Sequence, residues 1–277
     1  MKFLLAFLLL FSHQVAFAWG ATGHRAVGLV AEKHLTAKTK KAVQELLGTE
    51  KLSISCNWAD VVRSNPAYDS YVDWHYASVA DGERYEKSEK KKTGDVVMGI
   101  HTMIARLKDK KLPANEKADA LRYLGHFVGD LHQPLHIGRK DDRGGNDIKV
   151  VFFGSEMNLH EVWDTAMIDK QRYSYTELAD LVDHKWGKEK EWLKASVEDW
   201  AFESVQYRAR VYEFTDKFLS EKEVEALYGA AMKFEKTEVL PKVSWQYLSR
   251  NYPLMEQRIY QAGIRLAQVL NEIFDKK

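Results

Sequence analysis

The sequence predicts a mainly α-helical, single-domain protein, and three observations support this fold class. Most segments repeat their apolar residues at helical spacing, whereas the run from Ile148 to Phe153 is the one clear strand-like segment. After residue 18 the chain has no internal repeat, no low-complexity linker and no break in composition. Its 277 residues, 45% of them hydrophobic, suit one domain, or at most two, with a sizeable core.

The helices are predicted from their apolar faces and from residues that start or stop a helix. Thr22 is expected to cap the first helix, Gly48 to stop the second, and Pro134 to end a long one. After the first helix, helical segments are predicted over residues 38–47, 94–107, 116–131, 160–169, 175–182, 190–214, 221–236 and 254–274. The last of these carries its apolar residues on one face, as a helix packed against a core does.

The first 18 residues have the pattern of a secretory signal peptide. Lys2 precedes an apolar run, and Ala16, Phe17 and Ala18 form a cleavage site with small residues at its first and last positions. That run is too short to span a bilayer, and no later segment has about 18 uninterrupted apolar residues. We therefore expect a secreted or periplasmic protein, without stable membrane association, whose mature domain covers residues 19–277.

Charge and cysteine content narrow the classes of function. The formal net charge is +1, and it becomes zero once Lys2 is removed with the signal. Such a chain lacks the large basic field that clamps long duplex DNA, so a nucleic-acid substrate would be met over a few nucleotides. The lysine-rich stretch over residues 87–92 is interpreted as a solvated loop, with a substrate-steering patch as the alternative. The single cysteine, Cys56, excludes an internal disulfide and is interpreted as a buried small hydrophobe.

Two pairs of histidine and aspartate have a spacing that suits metal binding. His126 and Asp130 are four residues apart on a predicted helix, and so are His160 and Asp164, which places each pair on one helix face. His136 follows shortly after the first pair. A catalytic zinc site uses three protein ligands and keeps one position open. This set of candidate ligands is therefore large enough for more than one ion.

A single histidine is more often a core or surface residue than a metal ligand, so the joint pattern carries the interpretation. His34, His101 and His184 show no partner pattern and are taken as ordinary histidines. His132 stands between two candidate ligands and is predicted to orient a ligand from outside the coordination shell.

Six motifs follow one another along the chain and carry a family resemblance. They are Trp19-Gly-x-x-Gly-His24, Trp58-Ala-Asp60-x-x-Arg63, Trp74-His75-Tyr76, Gly129-Asp130-Leu-His-Gln-Pro-Leu-His136, Gly144-Gly145-Asn146 and Leu159-His160-x-x-Trp163-Asp164. Together they resemble the secreted zinc-dependent single-strand-specific nucleases (the S-one and P-one nucleases) over essentially the whole mature chain. The resemblance implies a mainly helical fold related to bacterial zinc phospholipase C, with a trinuclear zinc site and a short β-hairpin.

The resemblance also implies the ligands of three zinc ions. One ion would be held by Asp60, His75, His126 and Asp130. A close neighbour would take the amine and carbonyl of Trp19, His24 and the other oxygen of Asp130. The third would be held by His136, His160 and Asp164. Asp130 thus bridges two ions, and signal cleavage supplies the free amine of Trp19, which zinc readily deprotonates.

Four further residues are assigned to the substrate through the resemblance. Arg63 matches a phosphate-contacting arginine, Tyr76 a base-stacking aromatic residue, and Asn146 an asparagine near the nucleoside pocket. Ser78 departs from the pattern, because fungal relatives carry an aspartate there that supports the water and contacts the base. The base preference of this chain therefore stays open.

The resemblance implies a monomeric endonuclease that cleaves single-stranded RNA and DNA to 5′-phosphorylated products. The same enzyme would also act as a 3′-nucleotidase. Arg63 and Asp130 would be its catalytic residues, and single-stranded nucleic acid and 3′-nucleotides its substrates. One alternative is a zinc phospholipase C-like phosphodiesterase, which the short spacing from Trp19 to His24 disfavours. Another is a non-catalytic periplasmic zinc-binding protein, which has no need of an arginine beside its cations.

Overall fold

Helices dominate the computed structural model, which describes residues 19–184, 186–214 and 240–275. Within these ranges the α-helices are α1 (Ala21–His34), α2 (Ala37–Leu47), α3 (Leu52–Ser55), α4 (Trp58–Val62), α5 (Val96–Lys108), α6 (Ala114–His132), α7 (Leu159–Glu161), α8 (Met167–Asp169), α9 (Tyr175–Val182), α10 (Glu189–Trp192), α11 (Val197–Val211) and α12 (Trp245–Phe274). Helices of the 3₁₀ type cover Pro66–His75, Tyr85–Lys87 and Pro134–His136, and a π-helical turn covers Val162–Ala166. The predicted mainly helical class is confirmed.

The predicted helix boundaries hold where a stop residue or a capping box marks them, but Thr22 is wrong as the cap of the first helix, because α1 already begins at Ala21. The segment over 175–182 coincides with α9, whose N-cap Ser174 forms a capping box with Glu177. The segment over 190–214 is wrong as one helix, because Ser196 caps a new helix and separates α10 from α11. The segment over 160–169 is interrupted by the π-helical turn. The segment predicted over 221–236 lies outside the described residues.

The last helix starts nine residues earlier than the sequence predicts, and it runs through Pro253. Proline removes a backbone donor and normally ends or kinks a helix. Here the turns before it are held by packing: Tyr247 is fully buried, accepts a hydrogen bond from Trp163 Nε1 at 2.7 Å and donates one to the Val211 carbonyl at 2.7 Å. Tertiary contacts therefore outweigh the local preference.

Helix α1 lies in the core and packs against α12, α3, α9 and α6. Its residues Val27 and Val30 are fully buried, and each such side chain contributes about 1.5–3 kcal/mol to folding. Gly263 allows α12 to approach closely, because a Cβ there would fall 2.4 Å from Val30 Cγ1. This packing fixes the first turn of α1, which carries His24.

Short strands complete the described part of the chain. Strand β1 (Ala77–Ser78) pairs in parallel with β2 (Ile137–Gly138). Strands β3 (Lys149–Phe152) and β4 (Ser155–Asn158) form an antiparallel hairpin, and β5 (Lys242–Val243) pairs in parallel with β3. The predicted strand-like run and the short β-hairpin are thus present.

The hairpin loop consists of Phe153 and Gly154, which have φ angles of 47° and 89°. Positive φ at both loop residues matches the turns that suit the twist of a two-residue hairpin. Among the residues described, none of the helices has the length and apolar content that a membrane-spanning segment needs.

Candidate metal centre

Helix α6 carries two predicted ligands through the middle of the molecule. Every residue from Tyr123 to His132 is buried, so the side chains of His126 and Asp130 lie in the core. Buried charged groups are costly unless they are paired or coordinate a metal. Gly129 lets α1 approach this face, because a Cβ there would fall 2.8 Å from His24 Nδ1.

Three groups of histidine and aspartate side chains meet around this part of α6. Within each group the potential ligand atoms lie within 4.8 Å of one another, close enough to share a metal ion. The groups are His24, His126 and Asp130; Asp60, His75 and His126; and His136, His160 and Asp164. The structure therefore brings together every histidine and aspartate that the sequence assigns to the metal centre, from segments far apart in the chain.

Asp130 lies between the first two groups. Its Oδ1 atom is 3.3 Å from His24 Nε2, whereas its Oδ2 atom is 3.1 Å from His75 Nδ1 and 3.3 Å from His126 Nε2. The rings of His24 and His126 stack with centroids 3.9 Å apart. The two oxygens of one carboxylate thus face different histidines, which is the arrangement a carboxylate needs to bridge two ions.

The third group surrounds Asp164. Its Oδ1 atom is 3.6 Å from His136 Nε2, and its Oδ2 atom is 3.1 Å from His160 Nε2. The amide of Gln133 donates a hydrogen bond to Oδ1 at 2.6 Å. Sequence reasoning does not identify Gln133, although its place between the ligands Asp130 and His136 is a usable signal.

Backbone carbonyls orient three of the histidine rings. The Nδ1 atoms of His126, His136 and His160 donate to the carbonyls of Cys56, His75 and Gly144 at 2.8, 2.7 and 2.7 Å, respectively. Since a carbonyl only accepts, each Nδ1 carries the proton and each neutral ring offers a lone pair at Nε2. The Nε2 atoms of His136 and His160 are 3.1 Å apart, where two lone pairs repel unless a positive charge lies against both.

Several buried polar atoms of the centre make no hydrogen bond within the described part of the chain. They are both ring nitrogens of His24 and one carboxylate oxygen each of Asp60, Asp130 and Asp164. Leaving such an atom unsatisfied costs about 1–3 kcal/mol. Imidazole nitrogens and carboxylate oxygens are zinc ligands. The residues present therefore fit metal ions of this kind, and the unsatisfied atoms are the ones that such ions would bind.

Burial controls the ionisation of the first two groups. It raises the pKa of Asp130 well above its usual value, and the charges of Asp60 and Asp164 raise it further. Burial lowers the pKa of His24 and of His75 well below the usual value, and the neighbouring His126 lowers both further. These imidazoles are therefore neutral at neutral pH, which is the form that binds a metal.

In the third group, interactions between the side chains outweigh the effect of burial on the pKa values. Burial alone would lower the pKa of His160, but the charge of Asp164 and its close contact raise that pKa above the usual value. Burial would likewise raise the pKa of Asp164, but the charge of His160 and the close contacts with His136 and His160 lower it. Both directions show that this position favours a positive charge beside an ionised carboxylate.

Trp19 and Arg63 lie at two edges of the centre. Trp19 is fully buried at the start of the described chain, and the next residue, Gly20, donates its N–H to the Asp164 carbonyl at 2.6 Å. Arg63 follows α4, and its charge is close enough to oppose the rise in the pKa of Asp130. The main chain at residue 19 is thereby held next to the ligand-bearing turn.

A cleft of about 990 Å³ opens onto the centre. Its lining includes Arg63, His75, Tyr76, Ser78, His136, Asn146 and His160. All the residues that the sequence assigns to the substrate therefore face the same space. Lys90 and Lys91 also line it, whereas Lys87 and Lys92 are exposed, as a solvated loop predicts.

His132 lies in a different environment from the one its position in the motif suggests. Its Nδ1 atom donates to the Val128 carbonyl at 2.7 Å, and its Nε2 atom accepts from Arg265 Nη1 at 2.9 Å. Both ring nitrogens are thus engaged away from the ligands. The prediction that His132 directly orients a ligand side chain is wrong, because the residue points to the opposite side of α6.

Comparison with known proteins places these features in one family. The family model described as S1/P1 Nuclease matches residues 19–275. The chain belongs to the S1/P1 nuclease family. It is 30% identical to Endonuclease 2 of Arabidopsis thaliana over 273 residues, which is 92% of this chain and 90% of that protein.

Fungal members of the S1/P1 nuclease family are also similar to this chain. Nuclease S1 of Aspergillus oryzae is 25% identical, covering 94% of this chain and 93% of its own length. Nuclease P1 of Penicillium citrinum is 31% identical over 204 residues, 69% of this chain and 70% of its own length. The predicted resemblance is confirmed, and with it the enzyme class, a nuclease that hydrolyses phosphodiester bonds.

Proposed function

We propose that this protein is a zinc-dependent endonuclease that hydrolyses single-stranded RNA and DNA to 5′-phosphorylated products and removes the phosphate of 3′-nucleotides. The observation that carries the proposal is the meeting of three histidine and aspartate groups at the end of one cleft. Relatives similar over most of the chain bear the names nuclease and endonuclease, which supports the choice of reaction.

The proposed cofactor is three zinc ions. The first would be held by Asp60, His75, His126 and Asp130; the second by Trp19, His24 and Asp130; the third by His136, His160 and Asp164. Imidazole and carboxylate ligands suit zinc, and the third group, with three protein ligands, leaves room for substrate or water. Zinc bound there would supply Lewis acidity to the scissile phosphate and to the attacking water.

The protein's own residues position and neutralise the substrate. Arg63 lines the same cleft as His75, and a guanidinium can contact a phosphate with two parallel N–H groups. Such a contact strengthens as negative charge develops on the phosphate oxygens. Asp130 keeps both carboxylate oxygens directed at the histidines of two neighbouring groups.

We base the proposed selection of single strands on Tyr76, an aromatic residue of the cleft lining. Tyr76 is half-buried and lines the cleft together with Ser78 and Asn146. A base stacked on a tyrosine gains about 1–3 kcal/mol, which is too little to open a stable duplex repeatedly. A base that is already unpaired reaches the ring without that cost. The neutral hydroxyl of Ser78 would then discriminate weakly among bases.

We further propose that the protein is exported and works as a secreted or periplasmic monomer. The motive is the signal-like segment that ends directly before Trp19. Cleavage there would free an amine next to the buried centre. A form with one extra residue ahead of Trp19 should fold but lose most of its activity, since a peptide nitrogen is a poor ligand. Equal activity of the extended and authentic forms would exclude the terminal amine as a ligand.

The activity is tested with purified protein on single-stranded DNA, on RNA and on the matching duplexes, with zinc content measured on the same sample. We expect cleavage of the single strands, 5′-phosphate ends on the products and about three zinc ions per chain. Arg63→Ala should keep its zinc and lose turnover. Hydrolysis of a phosphocholine ester in place of nucleic acid would instead indicate the phospholipase-like alternative. Zinc binding without any hydrolysis would indicate a zinc-binding protein.

A further inference from the structure

Three polar side chains form a closed cluster on the cleft wall beside the metal centre. The hydroxyl of Tyr76 donates to Asp73 Oδ1 at 3.2 Å. Lys91 Nζ contacts the same hydroxyl and lies 3.1 Å from Asp73 Oδ1. The ammonium is also 4.1 Å from the centre of the Tyr76 ring, within range of a cation–π attraction. The hydroxyl end of the tyrosine is therefore held by two charged groups.

The cluster is fastened to the segment that precedes the metal ligand His75. Thr93 Oγ1 donates to Asp73 Oδ2 at 2.7 Å, and Trp74 Nε1 donates to the Thr93 carbonyl at 2.6 Å. Gly94 completes the contact, because a Cβ there would fall 2.4 Å from Trp74 Nε1. The loop that carries Lys91 thus lies tightly against the same segment that presents Tyr76.

We propose that Lys91 is a positioning residue that holds the Tyr76 ring in the orientation on which a substrate base stacks. The inference rests on the proposed function. A ring whose orientation is already fixed loses less freedom when a base binds, so the base binds more tightly. The substrates that gain from Lys91 are those with a base next to the scissile phosphate, whether RNA, DNA or a 3′-nucleotide.

The charges around Lys91 favour this role over direct contact with a phosphate. Asp73 lies within salt-bridge distance of the ammonium and neutralises it, with side chains that are 38% and 36% exposed. The neighbouring Lys90 has a separate function, since its Nζ bonds to the Ser88 carbonyl at 2.8 Å and lies 3.8 Å from the ring centre of Tyr85. Two lysines of the stretch over 87–92 thus contact tyrosine rings.

The first test compares Lys91→Met with Lys92→Met in the zinc-loaded enzyme. Lys92 is exposed and does not line the cleft, which makes it a matched control. Lys91→Met should raise KM for a single-stranded oligonucleotide roughly 3- to 10-fold with kcat unchanged. It should leave KM for an activated phosphodiester without a base unchanged, and Lys91→Arg should restore most of the loss. Equal KM values for the two methionine variants on the oligonucleotide would overturn the proposal.

A double-mutant cycle with Tyr76→Phe separates positioning from direct contact. If Lys91 acts through the hydroxyl, Lys91→Met should change KM no further once that hydroxyl is gone. A full effect of Lys91→Met in the Tyr76→Phe background would show that Lys91 does not act through the hydroxyl, and the proposal would fail. Inactivity of the zinc-loaded wild-type protein on every nucleic acid would instead overturn the proposed function, and this inference with it.

Discussion

Two buried polar clusters flank α6, and they satisfy their polar atoms in different ways. The metal centre leaves oxygens of Asp130 and Asp164 without hydrogen bonds among the described residues. On the other side lies the arginine network, formed by His132, Glu203, Arg258 and Arg265. Both arginines of this network are fully buried, and every nitrogen of both guanidinium groups donates a hydrogen bond.

The contrast separates charged groups that are paired within the protein from charged groups that are suited to bind a metal ion. Glu203 accepts from Arg258 at 2.6 Å and from Arg265 at 2.7 Å, so a negative charge of the protein itself lies against both buried positive charges. In the metal centre the carboxylates meet imidazoles, and the charge of Arg63 acts on Asp130 only from the edge of the centre. A buried group of that kind is tolerated when an external cation completes it. Variants on the two sides should therefore affect different properties.

The largest expected effect is on catalysis, from Asp130→Asn in the metal centre. Replacing a carboxylate that faces two ligand groups should lower zinc content and reduce kcat/KM by roughly 10³-fold or more. In the metal-free state, the variant should be at least as stable as wild type at neutral pH, because a buried charge has been removed. Metal analysis, steady-state kinetics and urea unfolding measure the three quantities. Full zinc occupancy with normal turnover would contradict the bridging role.

The second effect is on stability, from Glu203→Gln in the arginine network. Removing the carboxylate leaves two buried guanidinium groups without their counter-charge, which should lower the free energy of unfolding by about 3–5 kcal/mol. The kcat/KM of the folded enzyme should stay within a factor of about two. Glu86→Gln is the control, since Glu86 pairs at the surface with Arg84 and should cost less than about 1 kcal/mol. If the folded Glu203→Gln variant lost much more than this factor in kcat/KM, the arginine network would not be separate from catalysis.

A smaller effect is expected from His132→Ala, which tests where this histidine acts. Arg265 would lose one acceptor but keep Glu203, so unfolding should become easier by about 1–3 kcal/mol. Zinc content should be unchanged, because both ring nitrogens bond outside the metal centre. His101→Ala is the control, as His101 pairs with Glu198 at the surface. If His132→Ala lost zinc and His101→Ala did not, His132 would support the metal ligands after all.

The smallest effect is on the pH dependence of stability, and its sign should differ between the clusters. In the metal-free protein the pKa of Asp130 is raised, so its contribution to stability is present at acidic pH and is lost as pH rises through that pKa. Burial would raise the pKa of Glu203, but its hydrogen bond and charge interactions with Arg265 and Arg258 lower it. Its contribution is therefore present at neutral pH and is lost as pH falls through the lowered value.

Urea unfolding of metal-free wild type, Asp130→Asn and Glu203→Gln from about pH 3 to 7 measures both slopes. Each single group changes the unfolding free energy by at most about 1.4 kcal/mol per pH unit. The stability of wild type relative to Asp130→Asn should fall with rising pH, whereas that relative to Glu203→Gln should rise. Slopes of the same sign would show that the two carboxylates are not in opposite environments.

Local spacing explains why so much of the metal centre is predictable. His126 and Asp130 share a face because four residues advance a helix by slightly more than one turn. The same rule, applied more strictly, locates His132: two residues past Asp130 is about 200° around the helix, which directs it to the opposite side. The sequence therefore contained the signal for the arginine network, but the position of His132 inside a ligand motif favoured the wrong interpretation.

Long-range contacts account for what the sequence does not predict. The parallel pairing of Ala77 with Ile137, and of Val151 with Lys242, joins segments whose local sequence has no mark of the partner. The turns of α12 before Pro253 likewise depend on Tyr247 finding Trp163 and the Val211 carbonyl. Such contacts depend on tertiary packing, and the hydrophobic periodicity of a single segment carries no information about them.

The carbonyl partners of the histidine rings have a consequence for amino-acid substitutions around the centre. A main-chain carbonyl is an acceptor that all twenty amino acids provide, so the ring orientation of His126, His136 and His160 is transmitted by the path of the backbone. Substitution at Cys56, for example, leaves its carbonyl in place for His126. The hydrogen bond to each ring thus does not depend on the side chain of the residue that supplies the carbonyl, although His75 is itself a candidate ligand and Gly144 has a φ of 64°.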